Sequence, residues 1–466
     1  MEQPKENSFR DKIATVDKKG KRAWIYPKKP AGAFYKARTI VSIFLLLIFF
    51  SGPFIKINGH PILMLNFLER TFVIFGTKFW PQDFYLFVLL TISLIIFIVL
   101  FTVAFGRLWC GWACPQTIFM EMVFRKIEYL IEGDATRQRQ LHAAPMSAEK
   151  LFKKTLKHGI FYGISFLIGN TFLAYIIGIE RLGKIVSEPP SQHLGGFVAM
   201  LIFSFVFYGV FAFMREQVCT LVCPYGRLQG VMLDRNSIVV AYDFRRGEPR
   251  GKISKNKNEE RGDCVDCRLC VSVCPTGIDI RNGTQLECVN CTACMDACNG
   301  VMTKVKRPKG LIRYASYNNI LHGTHFRLTP RIIGYASVLT LLVIVFITLL
   351  LNRAPVQVSI LRTPGVLYQE TENGVIENLY NLKVVNKTFE KKAISLQLKS
   401  PSGELQMIGG KMVVPKGDVA QTSFFVRIPK DQIRLHNTPV VIDIFSGKEL
   451  VGETKSLFLG PVENKK

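Results

Sequence analysis

Five stretches of this chain run for close to twenty residues without a charged side chain, and no other feature restricts its fold as severely. They cover about residues 39–55, 84–105, 159–179, 194–214 and 332–351. A helix rising 1.5 Å per residue needs about 20 apolar residues to cross the hydrocarbon of a bilayer. The runs therefore predict five transmembrane helices. With 48% hydrophobic and 20% charged residues in 466, a soluble enzyme with one core is excluded, and so is a disordered chain. No small-residue cleavage site follows the first run, which reads as an anchor rather than a cleaved signal.

The net charge of +25 would fit either nucleic acid or a membrane with basic loops. Its distribution decides between them. Lys and Arg number 11 before the first run, then 3, 9, 2 and 19 in the four following loops. This alternation follows the positive-inside rule with the N-terminus in the cytoplasm. The 16 beyond the fifth run, mixed with 11 acids, belong to a long segment that the rule does not govern. That segment is expected outside, in a periplasm-like space.

Between the fourth and fifth runs, C-V-D-C-R-L-C-V-S-V-C-P covers 264–275 and C-V-N-C-T-A-C-M-D-A-C-N covers 288–299. Both have the C-x2-C-x2-C-x3-C spacing of two-cluster bacterial ferredoxins, in which the fourth cysteine serves the other cluster. The expected ligands are Cys264, Cys267, Cys270 and Cys298 for one [4Fe–4S] cluster. Cys288, Cys291, Cys294 and Cys274 serve the second. Structural zinc sites also use four thiolates, but two repeats at this spacing, with Pro275 after Cys274, favour iron–sulfur clusters. Asn299 replaces the usual proline after the second run. Disulfides are disfavoured in a reducing compartment.

The other four cysteines form two C-x3-C-P pairs, Cys110 with Cys114 and Cys219 with Cys223, each just past an apolar run. If helical, each pair presents two sulfurs on one face. The pairs read as a weak internal repeat of two transmembrane helices and a cysteine exit. Three roles compete: binding a soft metal such as Cu(I), cycling as a dithiol/disulfide couple, or packing as small buried residues. The first two are favoured because the pairs match and no cysteine is left over. His322 and His325 read as a polar interfacial turn, and nothing supports ligation by His158 or His193. No C-x-x-C-H haem site, phosphate loop or dinucleotide fingerprint appears.

Beyond residue 352, stretches 382–385, 393–398, 422–428 and 439–445 alternate apolar and polar residues, with Gly- and Pro-containing turns between them. Such spacing predicts an immunoglobulin-like β-sandwich without a disulfide. The expected fold is a multi-domain membrane protein: an α-helical bundle, an inserted α+β two-cluster ferredoxin domain, and an all-β C-terminal sandwich. Its parts are a basic tail (1–38), a four-helix core (39–230), a cytoplasmic segment (231–331, clusters at about 255–305), a fifth helix (332–351) and the outer domain (352–466).

W-C-G-W-A-C-P (109–115), V-C-P-Y-G-R-L-Q-G (222–230) and C-P-T-G-I-D-I-R-N-G-T-Q-L-E-C-V-N-C (274–291) together resemble the FixG/CcoG family of accessory proteins for cbb-type cytochrome c oxidase. The resemblance covers nearly the whole chain. It implies a bacterial inner-membrane protein that delivers copper to the oxidase, with oxidase assembly factors and copper-transport proteins as partners. The implied chemistry is reduction of Cu(II) to Cu(I), and the mechanism expected here is a relay from the clusters to the thiols of Cys110, Cys114, Cys219 and Cys223, where Cu(II) is reduced. Two other classes share the framework. One is a quinol-oxidising polyferredoxin subunit, which generally lacks a large outer β-domain. The other is a redox sensor or assembly scaffold.

Overall fold

The computed structural model describes residues 15–16, 19, 21–57, 59–67, 71–74, 77–79, 83–252, 261–324, 328–365, 367–371, 374–388, 390–410, 412–433, 435–447 and 449–461. The basic tail before residue 15 and His325 lie outside them. The chain divides into two compact units. One is built from 1–56, 61–70 and 85–346, the other from 57–60, 71–84 and 347–466.

Five helices are long and apolar enough to cross a membrane. They are α1 (Ala33–Ser51), α2 (Phe84–Phe105), α3 (Ala148–Ile177), α4 (Leu194–Gly209, continued by a π turn at Val210–Met214) and α7 (Pro330–Leu351). Ile40, Phe44, Leu47, Leu94, Ile95, Ile202 and Leu341 are all more than half exposed on them. Side chains this apolar need lipid around them.

Two helices start earlier than their charge-free runs. Helix α1 begins at Ala33 and carries Lys36 and Arg38, and Arg38 is only 5% exposed. Helix α3 begins at Ala148, where the Ser147 hydroxyl accepts the Lys150 amide at 3.2 Å. Absence of charge locates only the part matched to hydrocarbon, whereas backbone hydrogen bonding continues until a cap ends it. In the first unit an aromatic core joins the helices: Phe124 stacks on Phe211 at 4.7 Å and meets Phe161 edge-on at 4.8 Å.

After α4 comes α5 (Pro224–Met232), then strand β1 (Val239–Tyr242), which pairs antiparallel with β2 (Ile312–Ala315). The two strands bracket both cysteine runs. A short helix, Leu269–Ser272, lies within the first run, and α6 (Ala293–Lys304) begins within the second. Val240, Tyr242, Ile278, Ile280, Met295, Met302, Leu311 and Ile312 pack between them as a core.

The second unit holds a two-sheet sandwich. Strands β3 (Val356–Arg362), β4 (Val375–Asn386), β8 (Val419–Pro429) and β6 (Glu404–Met407) form one sheet in the order β6-β8-β4-β3, with Gln369–Glu370 also on β4. The other runs β7 (Met412–Val414), β5 (Lys392–Ser400), β9 (Asn437–Ser446) and β10 (Glu449–Leu459). Tyr380 and Phe424 stack at 5.4 Å in its core, and the Tyr380 hydroxyl donates to the Leu457 carbonyl at 2.9 Å. The four alternating stretches seen in the sequence lie inside β4, β5, β8 and β9. Within this unit Asp83 is almost fully buried and pairs with Arg353 at 2.5 Å and Lys387 at 2.6 Å.

Candidate iron–sulfur centre and cysteine face

The two ferredoxin loops repeat one another at the backbone level. Asp266 and Arg268 flank Cys267 with φ of 51° and 54°, and Asn290 and Thr292 flank Cys291 with φ of 53° and 63°. Left-handed backbone costs a non-glycine residue about 1–2 kcal/mol. It persists here because alternating handedness wraps each loop around a centre. One cavity is lined by Cys288, Cys291, Cys294 and Cys274, and also by Cys270. A second is lined by Cys264, Cys267, Cys270 and Cys298. Each proposed quartet thus faces one cavity, with the fourth cysteine arriving from the opposite loop.

These cavities fit cubanes in their donor chemistry. Burial pushes the Cys270, Cys288 and Cys298 thiols up to about 12 and Cys291 to about 11. Free thiols would therefore stay protonated, and they become thiolates only where iron compensates the charge. Among the described residues, no three His, Cys, Asp or Glu side chains converge tightly enough for a single metal ion. That holds for the ferredoxin quartets too, since a cubane spreads its ligands over separate irons. Asn299 has its own role: α6 continues through it to Lys304, and its Oδ1 accepts the Gly310 amide at 2.9 Å. A proline would supply neither contact.

The C-x3-C-P pairs are not single helical faces. Cys110 lies in the helical turn Leu108–Trp112, whereas Cys114 is extended (φ −62°, ψ 125°) at the N-cap of Pro115–Thr117. Cys219 lies in the π turn Val218–Val222, and Cys223 is extended (φ −68°, ψ 111°) before Pro224. A residue before proline is driven out of the helical region, so each motif ends one helix and starts the next. The shared geometry supports the internal repeat. All twelve cysteines are free thiols.

Both motifs sit on the second ferredoxin loop. Cys110 and Cys219 pack against the apolar group Val273, Val289, Cys291 and Ala293. Gly111 makes this possible: a Cβ there would lie 2.4 Å from the Asn290 carbonyl oxygen. Two buried guanidiniums tie the contact. Arg38 donates to the Gly111 carbonyl at 2.9 Å and the Cys291 carbonyl at 2.8 Å. Arg107 donates to the carbonyls of Leu286 and Gly226. The buried Gln229 amide approaches Cys110 Sγ at 3.6 Å. At the start of α1, the Phe34 and Tyr35 amides donate to the Asp296 carboxylate at 3.2 and 2.8 Å.

A buried ion network lies beside this face. Arg215 donates to Glu128 through two hydrogen bonds of 3.0 and 2.7 Å, and Arg125 pairs with Glu121 at 3.0 Å. Arg38, Arg107, Gln229 and Asp296 were not singled out by motif reading. The available signal was position: Arg107 stands three residues before Cys110, and Gln229 lies inside V-C-P-Y-G-R-L-Q-G. The histidines join no metal-binding group among the described residues: His158 Nδ1 and the Tyr208 hydroxyl share a hydrogen bond of 2.8 Å, and His193 pairs with Glu188.

Apolar helices, thiol-lined ferredoxin cavities and a β-sandwich define a membrane-anchored polyferredoxin with an appended immunoglobulin-like domain. Residues 214–317 match the 4Fe-4S dicluster domain, 87–132 match a 4Fe-4S binding domain, and 346–461 match the Ig-like fold at the C-terminus of FixG. The chain is 32% identical to nitrogen fixation protein FixG of Rhizobium meliloti, over 88% of this chain and 87% of that protein. It is 34% identical to protein RdxA of Cereibacter sphaeroides, over 87% of this chain and 89% of that one. A FixG-related protein from Vibrio parahaemolyticus of known structure covers 23% of this chain and 98% of its own at 22% identity, with a TM-score of 0.20. The chain belongs to the FixG family and is an iron–sulfur electron-transfer protein.

Proposed function

We propose that this protein supports assembly of a cbb-type cytochrome c oxidase by reducing Cu(II) to Cu(I). The observation that carries the reading is the seating of both C-x3-C-P turns on the Val289–Asn290 segment. It brings Cys110 and Cys219, one thiol from each motif, against the loop that carries Cys291. Cys264, Cys267, Cys270 and Cys298 would hold one [4Fe–4S] cluster, and Cys288, Cys291, Cys294 and Cys274 the other. When bound, the clusters supply one-electron carriers between a cytoplasmic donor and the cysteine face. Cys110, Cys114, Cys219 and Cys223 form that face, where Cu(II) as substrate accepts one electron. Soft sulfur donors favour the product Cu(I), and Met120 lines a small cavity with Cys219. Arg38 and Arg107 hold the two cysteine turns in place through backbone carbonyls.

By the basic-loop pattern, the N-terminus and ferredoxin domain lie in the cytoplasm and the sandwich lies in the periplasm, across a bacterial inner membrane. Copper-transport proteins and oxidase assembly factors are the proposed partners. Anaerobic Cu(II) reduction, followed with a Cu(I)-specific chelator and a low-potential donor, tests the reading. Replacing Cys110, Cys114, Cys219 and Cys223 by serine is expected to abolish the activity. An unchanged rate would end the proposal.

A further inference from the structure

We propose that electrons enter this protein at the Cys267 edge of the first ferredoxin quartet (Cys264, Cys267, Cys270 and Cys298), from a small acidic one-electron carrier protein that docks on the basic rim around it. This rests on the electron-transfer reading above and names the class of partner that feeds it.

The two quartets stand in different surroundings. The loop of the second carries Cys291, which packs against Cys110 and Cys219. Among the described residues, neither the five apolar helices nor the cysteine turns line the cavity of the first. Among the same residues, Cys267 is the one exposed cysteine. Cys270 lines both cavities, so the two centres lie side by side. The order of transfer follows. An outside donor meets the first quartet, and the second lies next to the cysteine turns.

The charges around the Cys267 edge are sorted by pairing. Arginines take up the local acids: Arg281, whose side chain is 5% exposed, pairs with Asp266 and with Asp279 at 2.6 Å, and Arg246 pairs with Asp263 at 2.5 Å. Arg268, next to Cys267, keeps its side chain 75% exposed and reaches Asp266 only at 4.0 Å. Lys304 ends α6, and the turn after it carries Lys306 and Lys309, all three exposed. That turn joins two segments that line the first cavity, Val301–Met302 and Leu311–Ile312. Arg246 donates to the Lys309 carbonyl at 3.1 Å and Arg307 to the Gly262 carbonyl at 2.6 Å, which ties the turn to the chain just before Cys264.

Arg268, Lys304, Lys306 and Lys309 thus present positive charge around one redox edge. The positive-inside rule accounts for cations near a bilayer, but not for a rim on the quartet whose walls take nothing from the apolar helices. Opposite charge on a partner steers its encounter and raises the association rate about 10–1000-fold. Redox encounters of this kind bury little surface and are transient. One electron leaves the reduced carrier and enters the centre at the first quartet, with no bond made or broken and no proton transferred.

Gallium-substituted ferredoxin of the acidic plant type, which docks but carries no electron, is the probe. Calorimetric titration of the anaerobically purified full-length protein should show binding that weakens about tenfold or more as ionic strength rises from about 0.02 to about 0.3 M. Arg268→Glu, Lys304→Glu and Lys309→Glu combined should weaken it about tenfold or more at low salt, and slow cluster reduction by native reduced ferredoxin to the same degree. Iron content and photoreduction by deazaflavin, which need no protein donor, should be unchanged. No binding, salt-independent binding, or a triple variant that binds as well as the unaltered protein would overturn the proposal. Should the triple variant lose iron, Lys306→Glu alone takes its place, and unweakened binding there overturns the proposal equally. Cu(II) reduction after deazaflavin photoreduction tests the copper reading separately. Its absence with ferredoxin binding intact removes the copper step and leaves the entry site, and the converse pattern removes the entry site alone.

Discussion

Gly111 shows how a single residue decides whether the cysteine face exists. Its missing Cβ admits the Asn290 carbonyl, so Gly111→Ala must push the turn bearing Cys110 away from the ferredoxin loop. Overpacking of this kind costs about 1–3 kcal/mol. Faster iron loss to a chelator and slower Cu(II) reduction are expected, both measurable on the purified variant. Arg38→Met should act similarly by leaving two buried carbonyls without their donor, at about 1–3 kcal/mol each. Motif reading finds the cysteines because their chemistry is local to a few residues. It passes over Gly111 and Arg38, whose importance depends on carbonyls distant in sequence.

Asp83 carries the clearest pH dependence at this scale. Burial raises its pKa, but hydrogen bonds and charge from Lys387 and Arg353 outweigh that and hold it below the ordinary carboxylate value of 3.8. A depressed folded pKa contributes stability that is present above the unfolded value and lost as pH falls through the folded one. The second unit should therefore keep this contribution at neutral pH and lose it below about pH 4. Asp83→Asn should remove it at neutral pH as well. Taking the shared carboxylate from two buried cations costs about 3–5 kcal/mol, visible as a lower melting temperature of the second unit by calorimetry.

Among the elements, the helices that carry the cysteines differ most from expectation. Spacing of i and i+4 implied one helical face, yet each pair is broken by the proline that follows it. The proline, legible in the sequence, excludes the second cysteine from helix, while the contact of Cys110 and Cys219 with the ferredoxin loop arises only in the tertiary structure. Helix α5 depends on the same closeness: a Cβ on Gly226 would stand 2.4 Å from the Cys219 carbonyl oxygen. Gly226→Ala should separate the two cysteines of that motif and lower Cu(II) reduction several-fold, while ferredoxin iron stays bound. An equal loss of ferredoxin iron would show a general collapse instead. Strands β4, β5, β8 and β9 were readable from their alternation, whereas β3, β6, β7 and β10 were not. Short strands such as β6 and β7 owe their existence to a neighbouring strand rather than to their own pattern.

For the molecule as a whole, charge asymmetry and hydropathy carry the topology. The topology proposed from the basic loops has the ferredoxin domain in the cytoplasm and the sandwich outside. A membrane-impermeant maleimide should label a cysteine introduced at the exposed Ser402 turn in intact spheroplasts. One introduced at Lys150, ahead of the apolar part of α3, should react only after the membrane is opened. The reverse pattern would invert the assignment. By itself, the sequence determined the five apolar helices, the ferredoxin quartets as candidates, and a β-rich C-terminal domain, because hydropathy and cysteine spacing are short-range properties of a chain. Only the tertiary structure decided that two cysteine turns about a hundred residues apart meet over one ferredoxin loop. That meeting depends on a missing Cβ, two buried guanidiniums and a buried amide, whose partners are set by packing between distant segments.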